Sequence, residues 1–566
     1  MDEQALKTEA EAATDLPSEQ PDRDKYRKIA RACLLEGLLY LCVFLLTCFL
    51  FAGLKPLAGF YHAGAFAKTV IALVIAGCGV FIAYMGATKR LTARHIAIIL
   101  LIIGYAVRVG YMLHTPANVR QQDTYSKRFN GHEAYAWTLF ETGGLPTKND
   151  YQFYHPPLNA IMQATFMRIV NGVISMFGGS FSPDIYTYGI EIYQVNTYID
   201  NYRFFLYSSC QILAVLYSFI TAVTLMKILR LFGFSEKLYL FLAAFAVLFP
   251  RHIQFAGMLN NDAIAYMFAT IALYFSLKWW KGNKSLVYIL LCGLAVGLGM
   301  MAKLSSATVC LPIAWIFIYE FIRTLRKKEG AIPFWQMVVQ YGVFLCVCAP
   351  IGLWFQVYAK IRFDQPLGFV FSNLNQKLYT GHHSIWGRFG ITFDLSEYFS
   401  SLYCIPFSGN YNLLNYAIKS SIFGEFTYSQ GDSWGAVSLL FAYMGVVFLA
   451  VGGIWCAVLW WKNRKDENSF IRQNPPVSHR DLLFAGLLII SQVVSEIYFY
   501  IKMPYGCTMD FRYIMPLILG LALAVGVIQK TLTASGGTLA AKFSLVLYII
   551  IGGFIISSTL FYAVCS

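Results

Sequence analysis

Residues 541–563 read AKFSLVLYIIIGGFIISSTLFYA, a run whose only charge is Lys542 near its start. About 20 apolar residues in a helix cover a hydrocarbon core of roughly 30 Å. Inside that core no water satisfies the backbone N–H and C=O groups, so the run must bond them internally as a helix. Working outward, runs of the same length lie at 29–53 and 335–358. Further apolar segments lie at 66–87, 95–113, 202–228, 237–256, 263–280, 284–301, 306–324, 434–461, 481–501 and 511–529. The expected fold is an all-α polytopic membrane protein, a bundle of about 13 transmembrane helices.

Composition and charge agree with that reading. The chain is 57% hydrophobic and 13% charged, against about 25% charged residues in a soluble protein. The net charge of +14 does not point to nucleic acid, because the charges gather in short connections and form no basic stripe. Lys25, Arg27, Lys28 and Arg31 flank the first span, which places the N-terminus in the cytoplasm. The even-numbered connections carry Lys89, Arg90 and Arg94, then Arg230 with Lys237, Lys278 with Lys281 and Lys284, Arg326 to Lys328, Lys462 to Lys465, and Lys530 with Lys542. All of these are expected on the cytoplasmic side. No cleavable signal is visible, so the first span is expected to anchor the chain.

Residues 1–28 are polar and acidic and read as a cytoplasmic tail without structure. Three spans (29–113) lead to a long outer loop, 114–201. Spans 4–9 (202–358) lead to a second, 359–433, and the remaining spans occupy 434–566. Loops longer than about 15 residues are commonly functional. These two are rich in aromatics, Gly and Pro, and are expected to fold as an extracytoplasmic cap, the first with helices near 131–142 and 156–177 lying along the membrane surface. Cys33, Cys42, Cys78, Cys210, Cys310 and Cys346 lie in apolar runs and read as small hydrophobes. Cys404, Cys507 and Cys565 fall on the outer side, where a Cys404–Cys507 disulfide is open but free thiols are preferred.

The first outer loop carries the densest chemistry. It reads Arg120-Gln-Gln-Asp123, Asn130-Gly-His132-Glu133-Ala-Tyr135, Gly144-Leu-Pro146 and Tyr154-His155-Pro156-Pro157-Leu158. This pattern resembles the first large outer loop of the GT-C superfamily of membrane glycosyltransferases. It is most similar to the bacterial branch related to protein O-mannosyltransferases and the lipid A aminoarabinose transferase. That branch has an acidic residue after an early span, a polar-aromatic helix, a Gly-Leu-Pro turn and a Pro-Pro-Leu lead into the next helix.

The resemblance implies transfer of one sugar, a mannose-like hexose or a pentose, from a polyprenyl-phosphate carrier to an acceptor hydroxyl. The transfer inverts the anomeric carbon at the outer face of a membrane, expected to be the bacterial plasma membrane. Asp123 matches the proposed base, and its spacing from Gly131-His132-Glu133 leaves Glu133 open as the alternative. A base is needed because the acceptor hydroxyl must lose its proton as it attacks. His132 and Tyr135 share a helical face and, with His155, are candidate contacts to the sugar or the donor phosphate. Asp262, in Leu259-Asn260-Asn261-Asp262, is a second candidate acid. A carboxylate at the membrane edge costs free energy unless paired, and Asn260 or Asn261 can cap the helix while Asp262 faces the site. Lys303 and Arg512 (in Asp510-Phe-Arg512-Tyr513) are expected at the depth of a lipid phosphate, whose growing charge fixed cations stabilise. Arg251 and Arg108 are further cation candidates, and Glu496 is expected to pair with one of these cations.

The second loop holds Gly381-His382-His383, but adjacent histidines on a strand or helix point apart, so no joint metal site is expected. No phosphate-binding Gly-rich loop, dinucleotide fingerprint or zinc-protease motif is present. The resemblance implies no cofactor: mannosyltransferase-like relatives need no catalytic metal, while oligosaccharide-transferring relatives use one. The implied partners are the polyprenyl-phosphate sugar, a protein, lipid or cell-wall acceptor, and membrane lipids. Three rival readings stay open: a transporter or flippase of a lipid-linked or anionic substrate, an oligosaccharide ligase of the same broad fold, and a receptor or scaffold.

Overall fold

The computed structural model describes residues 23–54, 64–124, 130–179, 185–188, 197–369, 376–392, 395–399, 401–404, 410–429, 431–466, 469 and 475–565. The chain divides into two compact units, Met1–Phe49 and Leu50–Ser566. In the first, the helix already begins at Arg23, so the end of the expected tail is helical. Residues 1–22 lie outside the described residues. The Tyr40 hydroxyl donates to Glu36 at 2.5 Å along this helix.

In the second unit, apolar runs become helices where the sequence places them. Counting Cys33–Leu54, ten helices among the described residues are long and apolar enough to cross a membrane, or up to 11 if one bent pair is a single span. That pair, Glu236–Val247 and Pro250–Gly257, bends by 51°. Proline explains the break: Pro250 has no N–H to give and sits in the first turn of the second piece, after an extended Phe249. The segments expected at 263–280 and 284–301 are also helical, as Asp262–Lys281 and Leu286–Ala302. They fall outside that count; the latter has only 17 residues.

The basic connections meet at one end of this unit. Lys281 binds Asp481 at 2.6 Å and the Leu231 carbonyl at 3.1 Å. Lys530 reaches the Gly233 carbonyl at 3.3 Å, and Glu320 takes both Lys284 at 2.5 Å and Arg323 at 3.0 Å. The described parts of the two long loops include segments at the other end, where Gln163 donates to the Leu259 carbonyl at 2.6 Å and Leu413–Phe423 packs on Gln254. His132–Thr142 and Leu158–Met176 form the helices expected near 131–142 and 156–177. Arg168 of the second donates to the last carbonyls of the first, Leu139 at 3.0 Å and Phe140 at 2.9 Å, which favours a cation at that helix end.

The sequence reading missed one element of this loop. Ile185–Tyr188 pairs antiparallel with Thr197–Asp200, Ile185 opposite Asp200 and Tyr188 opposite Thr197. Both segments are β-branched and aromatic, which suits a pleated surface. In the second loop Ile385–Phe389, Leu395–Phe399 and Leu413–Phe423 are helical. Leu413–Phe423 is largely buried, tied down by Gln254 donating to the Phe423 carbonyl at 3.1 Å and by Ser420 accepting from the Phe511 N–H at 2.9 Å.

Candidate active site

Asp123 lies in the chain that leaves the Ala93–His114 helix. Its φ is +56°, a left-handed conformation that Asp tolerates better than most residues. Tyr151 is also left-handed, at φ +40°, which is unusual for a bulky side chain. The two meet: the Tyr151 hydroxyl donates to Asp123 at 2.8 Å. Strained residues held together in this way are a mark of functional segments.

The helix that follows is fastened to Asp123 through its backbone. The N–H of His132 donates to the Asp123 carbonyl and that of Glu133 to the Thr124 carbonyl, each at 3.0 Å. Two of the unpaired donors at the helix start are thereby satisfied. Gly131 permits this approach, since a Cβ there would collide with the Thr124 carbonyl.

Asp262 opens the Asp262–Lys281 helix, where the positive helix end favours a carboxylate. Asn260 donates to it at 2.8 Å and accepts its backbone N–H at 3.2 Å. Asn261 occupies the cap position without a side-chain cap bond; its amide donates to the Ala302 carbonyl at 3.2 Å instead. That bond draws the end of the Leu286–Ala302 helix beside Asp262, and Lys303 forms an ion pair with it.

Arg512 stands between the two acids. Its guanidinium is 3.7 Å from Asp123 and 3.8 Å from Asp262. Tyr513 completes the wall: its hydroxyl accepts from Arg512 at 2.8 Å, and its ring lies 4.8 Å from the Lys303 ammonium. The exposures differ in a useful way. The Asp262 side chain is 3% exposed and that of Asp123 is 35% exposed, so Asp123 is the acid an incoming molecule can reach.

His132 and His155 stack face to face with centroids 5.5 Å apart. Burial pushes the His132 imidazole down to about 4, against the smaller opposing pull of Asp123. Burial and the neighbouring His132 likewise hold His155 well below its usual range. Both rings are therefore neutral near pH 7. Tyr135, 2% exposed, donates to the His155 carbonyl at 3.3 Å and packs its ring on Phe153.

The structure thus brings together Asp123, Asp262, Lys303, Arg512, His132 and His155. Other sequence candidates fall elsewhere. Glu133 is turned away, held by Arg203 at 2.5 and 2.7 Å. Arg108 is a strut: it donates to Ser218, to the Gly104 carbonyl and to the Val247 carbonyl, each at 2.8 Å. Arg251 sits behind Arg512 and grips Asp510 at 2.7 Å. Glu496 does not pair as expected. It is buried, and neither carboxylate oxygen has a hydrogen-bond partner among the described residues.

In the second loop His383 stacks on Tyr411 with ring centroids 3.7 Å apart, and the His382 ring lies 4.1 Å from it. Cys404 and Cys507 are free thiols, as preferred from the sequence. Sequence reasoning missed Tyr151, Tyr513, Gln122 and Glu425. The left-handed conformations, the one signal that marks Tyr151, exist only in the folded chain.

Residues 205–354 match the family model described as dolichyl-phosphate-mannose-protein mannosyltransferase. The match takes in Asp262 and Lys303 but neither Asp123 nor Arg512. No curated protein matches the chain. Among solved structures, the crystal structure of ArnT from Cupriavidus metallidurans bound to undecaprenyl phosphate aligns with a TM-score of 0.40 and 12% identity, over 85% of this chain and 76% of that one. Over the matched residues the chain is similar to a membrane glycosyltransferase family, as its motifs led us to expect.

Proposed function

We propose that this chain is a membrane glycosyltransferase that moves a single sugar, a hexose or a pentose, from a polyprenyl-phosphate carrier to an acceptor hydroxyl, with inversion. The observation that carries the reading is the pairing of a reachable acid with two fixed cations. Asp123 is partly exposed, and it shares Arg512 with the buried Asp262–Lys303 pair. The match of 205–354 to a mannosyltransferase family model supports the reaction class.

The chemistry divides between the two sides of this cluster. On the acceptor side, Asp123 takes the hydroxyl proton as the oxygen attacks the anomeric carbon. The bond from that carbon to the phosphate oxygen breaks, and the electron pair leaves on the phosphate. On the donor side, Arg512 and Lys303 stabilise that charge at no cost of reorganisation, because the protein already holds them in place. Arg512 offers a planar fork suited to phosphate oxygens. Asp262 keeps the two cations oriented when no phosphate is present. Phosphate is a good leaving group, so no general acid is required. This scheme assigns no step to a metal.

Within the second unit the site lies at the end opposite Lys281, Lys284 and Lys530, which under the positive-inside rule supports our assignment of the site to the outer face. We assign the N-terminus to the cytoplasm from the basic residues that flank the first span. We assign the protein to a bacterial plasma membrane, with a protein, lipid or cell-wall acceptor. The test is kcat of Asp123→Asn beside Glu133→Gln. The first should lose about 10²-fold or more, as a missing general base does. Glu133→Gln should lose less, by loosening the contact to Arg203. The reverse order would transfer the base to Glu133.

A further inference from the structure

Behind Arg512 lies a second, fully buried set of groups. Arg251 grips both oxygens of Asp510, at 2.8 and 2.7 Å. The carboxamide nitrogen of Gln122 donates to Asp510 at 2.8 Å and to Glu425 at 2.7 Å. Its oxygen accepts from Arg251 at 3.4 Å. The other oxygen of Glu425 accepts from the Tyr416 hydroxyl at 2.6 Å. Asp510 in turn accepts the backbone N–H of Arg512 at 2.9 Å. Glu425 therefore reaches Asp123 through the adjacent Gln122, and Arg512 through Asp510.

We propose that Glu425, from the second long loop, is a positioning residue: it clamps Gln122 onto Asp510 and thereby sets the place of Asp123 and the direction of Arg512. Its activity readout rests on the glycosyltransferase reading; its structural readout does not.

Charge explains why a carboxyl group at this place matters. Two carboxylates drawn to one amide repel each other, and Arg251 neutralises only one of them. Burial first, and then the charge of Asp510, push Glu425 up to about 8. The groups facing it are Tyr416, Gln122, Asp510, Arg512, Cys404 and Cys507, and the cations Lys419 and Arg251 face Cys404 beside it. Burial raises the two thiols and the phenol, so they stay neutral with it. Below about 8 the inner set is thus an Arg251–Asp510 pair beside a protonated Glu425, and Arg512 is shared between Asp510 at 4.0 Å and the outer acids Asp123 at 3.7 Å and Asp262 at 3.8 Å. Ionisation of Glu425 adds a buried negative charge that draws Arg512 inward, away from Asp123 and Asp262.

The experiment compares Glu425→Gln, Glu425→Ala and Gln122→Leu in the full chain, using pH profiles of sugar transfer and hydrogen exchange of the His132 and Glu133 amides. Glu425→Ala is expected to lower kcat about tenfold or more through misplacement, with the donor KM little changed and both amides exchanging faster. Glu425→Gln keeps a neutral acceptor in place, so it should restore slow exchange and recover part of kcat. It should also remove the fall in activity that the wild type shows above about pH 8. Gln122→Leu cuts the same link without touching Glu425 and should raise exchange in the same way, which covers the case of a Glu425→Ala protein that fails to fold. Unchanged exchange in Gln122→Leu and in any folded Glu425→Ala would overturn the inference, as would an alkaline fall that persists in Glu425→Gln. A wild type that transfers from no donor would sink the glycosyltransferase reading alone, because the exchange measurement would still decide the role of Glu425.

Discussion

His132 shows how far a single residue departs from its free behaviour. Burial holds its imidazole at about 4, so it is neutral across the range in which a free histidine titrates. Its part in the site is then packing and hydrogen bonding, not proton transfer. The sign follows from linkage. A histidine whose folded value lies below its unfolded value is protonated first in the unfolded chain, so its contribution to stability falls as pH drops from about 6.5 toward 4. His132→Gln removes that term. The Tm advantage of the wild type over the variant should therefore be smaller at pH 5 than at pH 7, while the pH profile of transfer between them keeps its shape. A profile that changes shape would make His132 a proton carrier. At this scale the sequence singled out Asp123, Asp262, Lys303 and Arg512, which the structure places side by side. Charges are scarce in this chain, and one beside an apolar run has a strong reason to be paired. It gave no such lead to Glu425, whose partner Gln122 lies 303 positions away and whose importance comes from that partner.

The elements of the site are held by a few conformations that only some residues can take. The Leu413–Phe423 helix ends at Gly424, whose φ is +63°, and the next residue is Glu425. With ψ at −148° this is backbone that essentially only glycine adopts, so a side chain at Gly424 would be strained by roughly 1–3 kcal/mol. Its Cβ would also collide with the Arg251 guanidinium and press on the Gln254 amide at 2.8 Å. Gly424→Ala should lower the Tm and raise amide exchange at His132 and Glu133, because it displaces Glu425. An unchanged Tm would show that this turn carries no strain. Helices were readable from the sequence wherever a run was long and apolar, and the two in the first loop from their flanking Gly and Pro residues. The break at Pro250 and the pairing of Ile185–Tyr188 with Thr197–Asp200 were not. A proline in an apolar run is compatible with a kink or a stop, and a four-residue strand leaves too short a pattern to separate from loop.

Across the whole molecule, the distribution of charge separates two ends. Lys281, Lys284, Arg323 and Lys530 gather with their partners at one, while Asp123, Asp262, Lys303 and Arg512 gather at the other. The sequence already implied this division, since the positive connections alternate with the outer loops. What it did not contain was the convergence of three distant segments, those of Asp123, Asp262 and Lys303, on the Arg512–Tyr513 segment, which depends on how the helices pack. The central claim is that this convergence performs sugar transfer. The most direct measurement incubates the purified protein with labelled polyprenyl-phosphate monosaccharides and crude envelope acceptors, and follows both the label and the free polyprenyl phosphate. Label moving to an acceptor from one donor, with release of an equal amount of polyprenyl phosphate, is the predicted result. Tight donor binding with the sugar–phosphate bond left intact, across all donors and acceptors, would contradict it and favour a carrier of the lipid-linked sugar.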